Sequence, residues 1–253
     1  MALCTPPDSD NRAPLTPALD MAENDISALC RLSTATLTMV LLKRGLRNVW
    51  IRGAYLLEPN TRRIAGPAFT MRFVPGREDL ATPASLSSKR STRYAIEEMP
   101  RGSVAVVASC GVDDAGIFGD ILCARMARRG AAGLITDGKM RDVEGVRKTG
   151  LPIWCSGVSA PPSVAQLTFV DWQQPVGCGG VAVFPDDVIV ADQDGAIVVP
   201  QSMVSETIEA GREMEALDEW ILERVLEGRK LPGLYPPDEE TMAEFRNRNT
   251  KTP

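Results

Sequence analysis

The stretch from residue 102 to 155 alternates short apolar runs with amphipathic segments. "GSVAVVAS" (102–109) is a β-rich run of the kind buried on both faces. "GDILCARMARRG" then predicts a helix from about Asp120 to Arg129, stopped by Gly130. "AAGLITDG" reads as a strand, "RDVEGVRKTG" as a short helix and "LPIWCSG" as a third strand, the order of parallel βαβ units. Upstream, "STATLTMVLLKRG" predicts a helix capped by Ser33 or Thr34 and ended by Gly45, and "IAGPAFTMRFV" a strand. Residues 76–99 are polar and partly helical in pattern. Downstream, "GGVAVFPDDVIVADQDGAIVVP" reads as β, with a hairpin turning at "DQDG". An amphipathic helix from about Val204 to Glu227, with Met214, Leu217, Ile221 and Val225 on one face, precedes a Pro-rich link and a polar tail. The expected organisation is a disordered Pro-rich lead over 1–20, one α/β domain over 21–203, and a helix-and-tail extension over 204–253.

Composition narrows the chemistry. A chain of 253 residues, 44% hydrophobic and 24% charged, can bury one substantial core. Its net charge of −5 argues against coating a nucleic acid, and no apolar run is long enough for a membrane span. Six scattered cysteines without a C-x-x-C pair read as free thiols of a cytoplasmic protein. The histidine count is zero. That excludes Ser-His-Asp and Cys-His catalysis and every His-ligated metal site. Carboxylates, Arg, Lys, hydroxyls, thiols, backbone amides and a hard oxygen-ligated metal remain.

Within that menu, Asp120, Arg141 and Asp142 stand out. Asp120 opens the helix after the strand at 102–109, and Arg141-Asp142 follow the next strand. If those strands are adjacent and parallel, both segments leave the same edge, where open α/β sheets bind ligands. The amides from Gly119 to Leu122 would suit a substrate carboxylate, and Asp142 would suit Mg²⁺ or Mn²⁺ with water completing the shell. A helix cap and a surface ion pair account for the same residues, so both readings stand at this point.

The D-x20-R-D arrangement, with "GDILCARMARRGAAGLITDGKMRDVEGVRKTGLPIWCSG" around it, resembles the class II pyruvate aldolases. These act on 4-hydroxy-4-methyl-2-oxoglutarate and 4-carboxy-4-hydroxy-2-oxoadipate, in a superfamily that includes the regulator of ribonuclease activity A. "AGPAFTMR" and "PVGCGGVAVFPDDVIVADQDGAIVVP" extend the likeness over about residues 25–200. The resemblance implies a β/β/α layered, swivelling-domain-like fold, homotrimers or homohexamers, and clefts between subunits. It implies Asp142 as the direct ligand of a divalent metal and Asp120 as the holder of metal-bound water. Arg141 would bind the ketone oxygen and stabilise an enolate, and the amides of Gly119, Asp120, Ile121 and Leu122 would hold the pyruvyl carboxylate. The implied activity is retro-aldol cleavage of a 4-hydroxy-2-keto acid to pyruvate, with oxaloacetate decarboxylation through the same enolate. The alternatives are a non-catalytic regulator binding a ribonuclease or helicase, and the same chemistry on a sugar-acid-derived keto acid. Where relatives often carry an acid in the first helix, this chain has "STATLTMVL", which leaves the aldol base unassigned.

Weaker signals read as structure. Lys139 fits a surface lysine better than a Schiff-base one, "DQDG" a hairpin turn better than a calcium loop, and "GCGG" (177–180) a tight turn better than a phosphate cradle. Lys89, Arg90 and Arg93 are a solvated basic cluster with a second reading as a contact to a distal substrate carboxylate.

Overall fold

Near-continuous apolar runs such as "VAVVA" make a sheet that is covered on both faces. In the computed structural model, which describes residues 23–248 apart from 60–61, 83–84 and 86, this sheet has eight strands. From one edge it runs β1 (Tyr55–Leu56), β6 (Ile153–Cys155), β4 (Gly133–Thr136), β3 (Val104–Ala108), β2 (Ile64–Pro75), β11 (Val188–Asp192) and β12 (Gly195–Val199). The pairs β2–β3, β3–β4 and β4–β6 are parallel, as the βαβ pattern requires. β2 is long enough to serve two partners. Its first part pairs with β11 and its last with β8 (Leu167–Trp172), the register shifting at Arg72/Phe73. The sequence reading assigned no strand to 167–172.

Alternate residues of each strand enter different cores. Ala105 and Val107 pack with Met71, Cys123, Met126 and Val146 beneath α3 (Thr92–Glu98), α4 (Asp120–Arg129) and α5 (Val143–Lys148). Val104 and Val106 pack instead with Ile189, Ala191 and Val198, because the β11–β12 end of the sheet curls over the centre. The β9 (Val176–Cys178) and β10 (Val181–Val183) hairpin closes that core. The outer residues of the curl, Val188, Val190, Ile197 and Val199, lie beneath the helices α1 (Glu23–Leu29), α2 (Thr34–Lys43) and α6 (Val204–Leu226). The layered α/β architecture expected from the sequence is the one observed.

Local chemistry sets the helix ends. Ser33 caps α2, its hydroxyl accepting the Thr36 N–H at 3.0 Å, and the carboxylate of Asp192 accepts from Thr34 N–H and Oγ1 at 2.9 and 2.6 Å. α4 stops at Gly130, whose φ of 85° only glycine adopts freely, so that Ala131 N–H reaches back to the Met126 carbonyl. The reading of the C-terminus as a plain tail is corrected. Asp238 caps α7 (Glu239–Asn247), and Phe245 meets Trp220 of α6 edge-on at 5.8 Å. Trp220, Ile221, Leu234 and Phe245 form a small core, against which Leu217 and Val225 of the expected helix stripe pack. The lead expected over 1–20 lies outside the described residues. No helix among the described residues is long and apolar enough to cross a membrane.

Candidate active site

Adjacent parallel strands β3 and β4 deliver their following segments to one edge of the sheet. The chain after β3 runs to Gly119, which caps α4 in extended conformation without a side-chain hydrogen bond. The chain after β4 forms β5 (Lys139–Met140), which pairs in parallel with β7 (Gly157–Val158). Backbone bonds weld these segments together. Ile117 N–H donates to the Lys139 carbonyl at 2.7 Å, Arg141 N–H to the Phe118 carbonyl at 3.1 Å, and Ser159 N–H to the Met140 carbonyl at 2.9 Å. Arg141 therefore stands on a ledge held from both sides.

Asp142, directly beyond, has φ 52° and ψ 40°, left-handed backbone that Asp tolerates better than most residues. This turn starts α5 and sends the Asp142 carboxylate back toward the start of α4. Three glycines make the approach possible. A Cβ on Gly119 would stand 2.5 Å from Asp142 Oδ2, one on Gly145 2.7 Å from Asp120 Oδ2, and one on Gly116 2.6 Å from Arg141 Cβ. The structure thus brings Asp120, Arg141 and Asp142 to one place, each across from a residue that had to lack a side chain. Sequence reading missed Gly116 and Gly145, since neither has a positive φ or an obvious turn to signal it.

The donors in this notch are specific. Asp120 Oδ1 accepts the Ile121 N–H at 2.7 Å, so that amide is engaged by its own helix and is not free for a ligand. Arg141 Nε lies 3.1 Å from Asp142 Oδ2, yet it is buried and the pair is poorly aligned for a hydrogen bond. Its fork is therefore available to an oxygen placed in the notch. The side chains of Arg141 and Asp142 remain 32% and 46% exposed. The two carboxylates, in a chain with no histidine, form an all-oxygen donor set, suited to a hard divalent cation that keeps most of its water.

Neighbouring groups are excluded by their surroundings. Burial, with the Asp120 charge adding to it, pushes the Cys123 thiol up to about 12, so it is no nucleophile at neutral pH. Asp137 is a strut, its carboxylate accepting from Ser109 N–H at 2.8 Å and Gly179 N–H at 3.0 Å. That bond, and the 2.3 Å that would separate a Gly179 Cβ from the Arg52 carbonyl, make "GCGG" the tight β9–β10 turn. Lys139 Nζ lies 3.9 Å from Asp113 and points at an exposed acid. Arg90 lines a small cavity of about 50 Å³ with Phe73 and Ser163. The half-exposed Asp142 carboxylate leaves the notch open to solvent on that side.

A family model described as RraA-like, Aldolase/RraA, matches residues 30–198. The chain belongs to the RraA-like family. Streptomyces coelicolor RraAS2, described as an unusual member of the RNase ES inhibitor RraA family, is 34% identical, with a TM-score of 0.72 over 81% of this chain and 98% of that one. A Pseudomonas syringae protein shares the fold at 25% identity and a TM-score of 0.74, over 86% of this chain and all of that one. Among curated relatives, Legionella pneumophila DlpA is 29% identical over 67% of this chain, but the chain spans only 26% of DlpA. A Halalkalibacterium halodurans protein with the provisional name 4-hydroxy-4-methyl-2-oxoglutarate aldolase is 29% identical over 62% of this chain and 69% of that protein. The family match spans β2 through β12 and so takes in the whole notch.

Proposed function

We propose that this member of the RraA-like family is a divalent-metal-dependent lyase that releases pyruvate from a 4-hydroxy-2-keto acid and also decarboxylates oxaloacetate. The observation that carries the reading is the convergence of Asp120, Arg141 and Asp142 against Gly145, Gly116 and Gly119. A helix cap and a surface ion pair do not require three side chains to be deleted around them. Provisional aldolase names among the relatives support the reaction class.

Asp142 would hold Mg²⁺ or Mn²⁺ directly and Asp120 through water. When bound, the cation supplies Lewis acidity toward the keto-acid oxygens. The chain's own groups do the rest. The α4 N-terminus, with the amides of Gly119, Asp120 and Leu122, binds the pyruvyl carboxylate, helped by the helix dipole. Breaking C3–C4 leaves the bonding pair on C3 as pyruvate enolate, while the 4-hydroxyl passes its proton to solvent water in the notch and becomes a carbonyl. In oxaloacetate, CO₂ leaves and the same enolate remains. Arg141 donates its guanidinium to the enolate oxygen, where the charge develops. Asp120, with Oδ1 committed to Ile121, keeps Oδ2 for a water that protonates C3. α2 has no acid in its sequence and so offers no base for the hydroxyl proton.

Because the notch is open, we assign its closure to a neighbouring copy in a homotrimer or homohexamer. Light scattering should give three or six chains; a fully active monomer would refute the shared cleft. Oxaloacetate decarboxylation should vanish with EDTA and return with excess Mg²⁺ or Mn²⁺. Full activity in chelator-treated protein would overturn the metal-dependent reading. The likeness to RraAS2 supports a second reading as a ribonuclease-binding regulator. Inhibition of a ribonuclease by protein that lacks both lyase activities would establish that one instead.

A further inference from the structure

At the opposite end of the same two helices lies a cavity of about 580 Å³, the size of a small-ligand site. Its lining is mixed, with Leu57, Ala127 and Ala131, backed by the buried Val146, Leu151 and Ile153, supplying the apolar part. Its rim carries three arginines, Arg62, Arg101 and Arg147, against a single acid, Glu58. Arg147 is committed, its Nε lying 3.0 Å from Glu58. Arg62 and Arg101 have no acidic partner among the described residues. Arg101 lies across Gly130, where a Cβ would stand 2.9 Å from its Nη1.

A structural account of this basic rim would have the arginines satisfy the carbonyl ends of α4 and α5, which both finish here. Several of those carbonyls already have other donors. Ala131 N–H takes Met126, Gly130 N–H takes Ala127, Thr149 Oγ1 takes Val146 and Gly150 N–H takes Arg147. Gly102 N–H takes the Gly130 carbonyl as well. Among the described residues, the guanidinium groups of Arg62 and Arg101 have no hydrogen-bond or ion-pair partner.

We propose that this cavity is a second ligand site, taking a small organic dianion whose two acidic groups meet Arg62 and Arg101 while its carbon body covers the apolar part of the lining. Planar forks favour carboxylates or phosphates held in pairs of bonds. The apolar part of the lining favours an organic dianion over inorganic phosphate. The site does not depend on the lyase reading; it lies at the C-terminal end of α4, whereas the notch lies at the start of that helix.

The test is isothermal titration of the full chain with succinate, glutarate and inorganic phosphate, without added metal. The expected result is saturable dicarboxylate binding that is retained in Arg141→Gln. It should weaken by about tenfold or more in Arg62→Gln/Arg101→Gln. Inorganic phosphate should bind more weakly than either dicarboxylate. Both arginines are exposed, so the double variant should melt at the wild-type temperature. Arg147→Gln, which removes the third cation from the rim, supplies an independent loss of affinity. Binding lost in Arg141→Gln and kept in the double variant would place the dianion in the notch and overturn the proposal. So would the absence of saturable binding, or phosphate binding tighter than the dicarboxylates.

Discussion

Gly119→Ala separates the notch from the fold. The backbone at Gly119 is extended, so alanine is sterically allowed there. Its Cβ, however, would stand 2.5 Å from Asp142 Oδ2, where ordinary contact begins at 3.4 Å. The carboxylate must retreat by roughly 0.9 Å, and being the end of a half-exposed side chain it can do so without unfolding anything. The stability cost is that of alanine for glycine at a helix N-cap, about 1 kcal/mol or less, or a fall of roughly 2–4 °C in melting temperature. Catalysis should suffer more, because a displacement of about 1 Å in a reacting constellation costs on the order of 10²-fold. That is about 2.7 kcal/mol of transition-state stabilisation. The assay is oxaloacetate decarboxylation at saturating Mg²⁺, followed by coupled reduction of pyruvate, alongside a melt. Gly177→Ala, where a Cβ meets nothing within 4 Å, is the matched control and should be silent in both measurements. If Gly119→Ala keeps turnover within about threefold of wild type while folded, the position of Asp142 is irrelevant and the notch is not the active site.

Other expectations follow from neighbouring groups. Arg141→Lys should lose about 10²–10³ in turnover, because a point charge on a flexible stem does not replace the fork. Lys139→Ala should stay within a few-fold, and borohydride with pyruvate should trap no adduct; labelling of Lys139 would instead prove a Schiff base. The Thr241 backbone N–H and hydroxyl beside Asp238 hold its carboxyl below the usual carboxylate range. A depressed acid stabilises the fold above its unfolded pKa of about 3.9 and loses that contribution as pH falls through the lower folded value. Protection factors of the α7 amides, each referred to intrinsic exchange at the same pH, should therefore fall from pH 6 to pH 3 more in wild type than in Asp238→Asn, and an equal fall would refute the cap.

Much of this architecture was written in local pattern. The βαβ runs, the ends of α2 and α4, and the β11–β12 hairpin each rest on interactions within a few residues, such as Ser33 on Thr36 or Gly130 in its left-handed turn. Periodicity and caps are short-range physics, so the sequence carried them. The D-x20-R-D spacing likewise placed three charges at one sheet edge, since adjacent parallel strands leave no other choice. Tertiary structure alone decided what those charges face. Asp142 reaches Gly119 and Asp120 reaches Gly145 across segments more than twenty residues apart. Nothing local to Gly145, inside an ordinary helix, shows that a side chain is forbidden there. The same holds for α7, which docks because Phe245 finds Trp220, and for the arginines that meet at the far ends of α4 and α5. Such contacts depend on close packing between distant segments, and a side chain's neighbours exist only once the chain has folded.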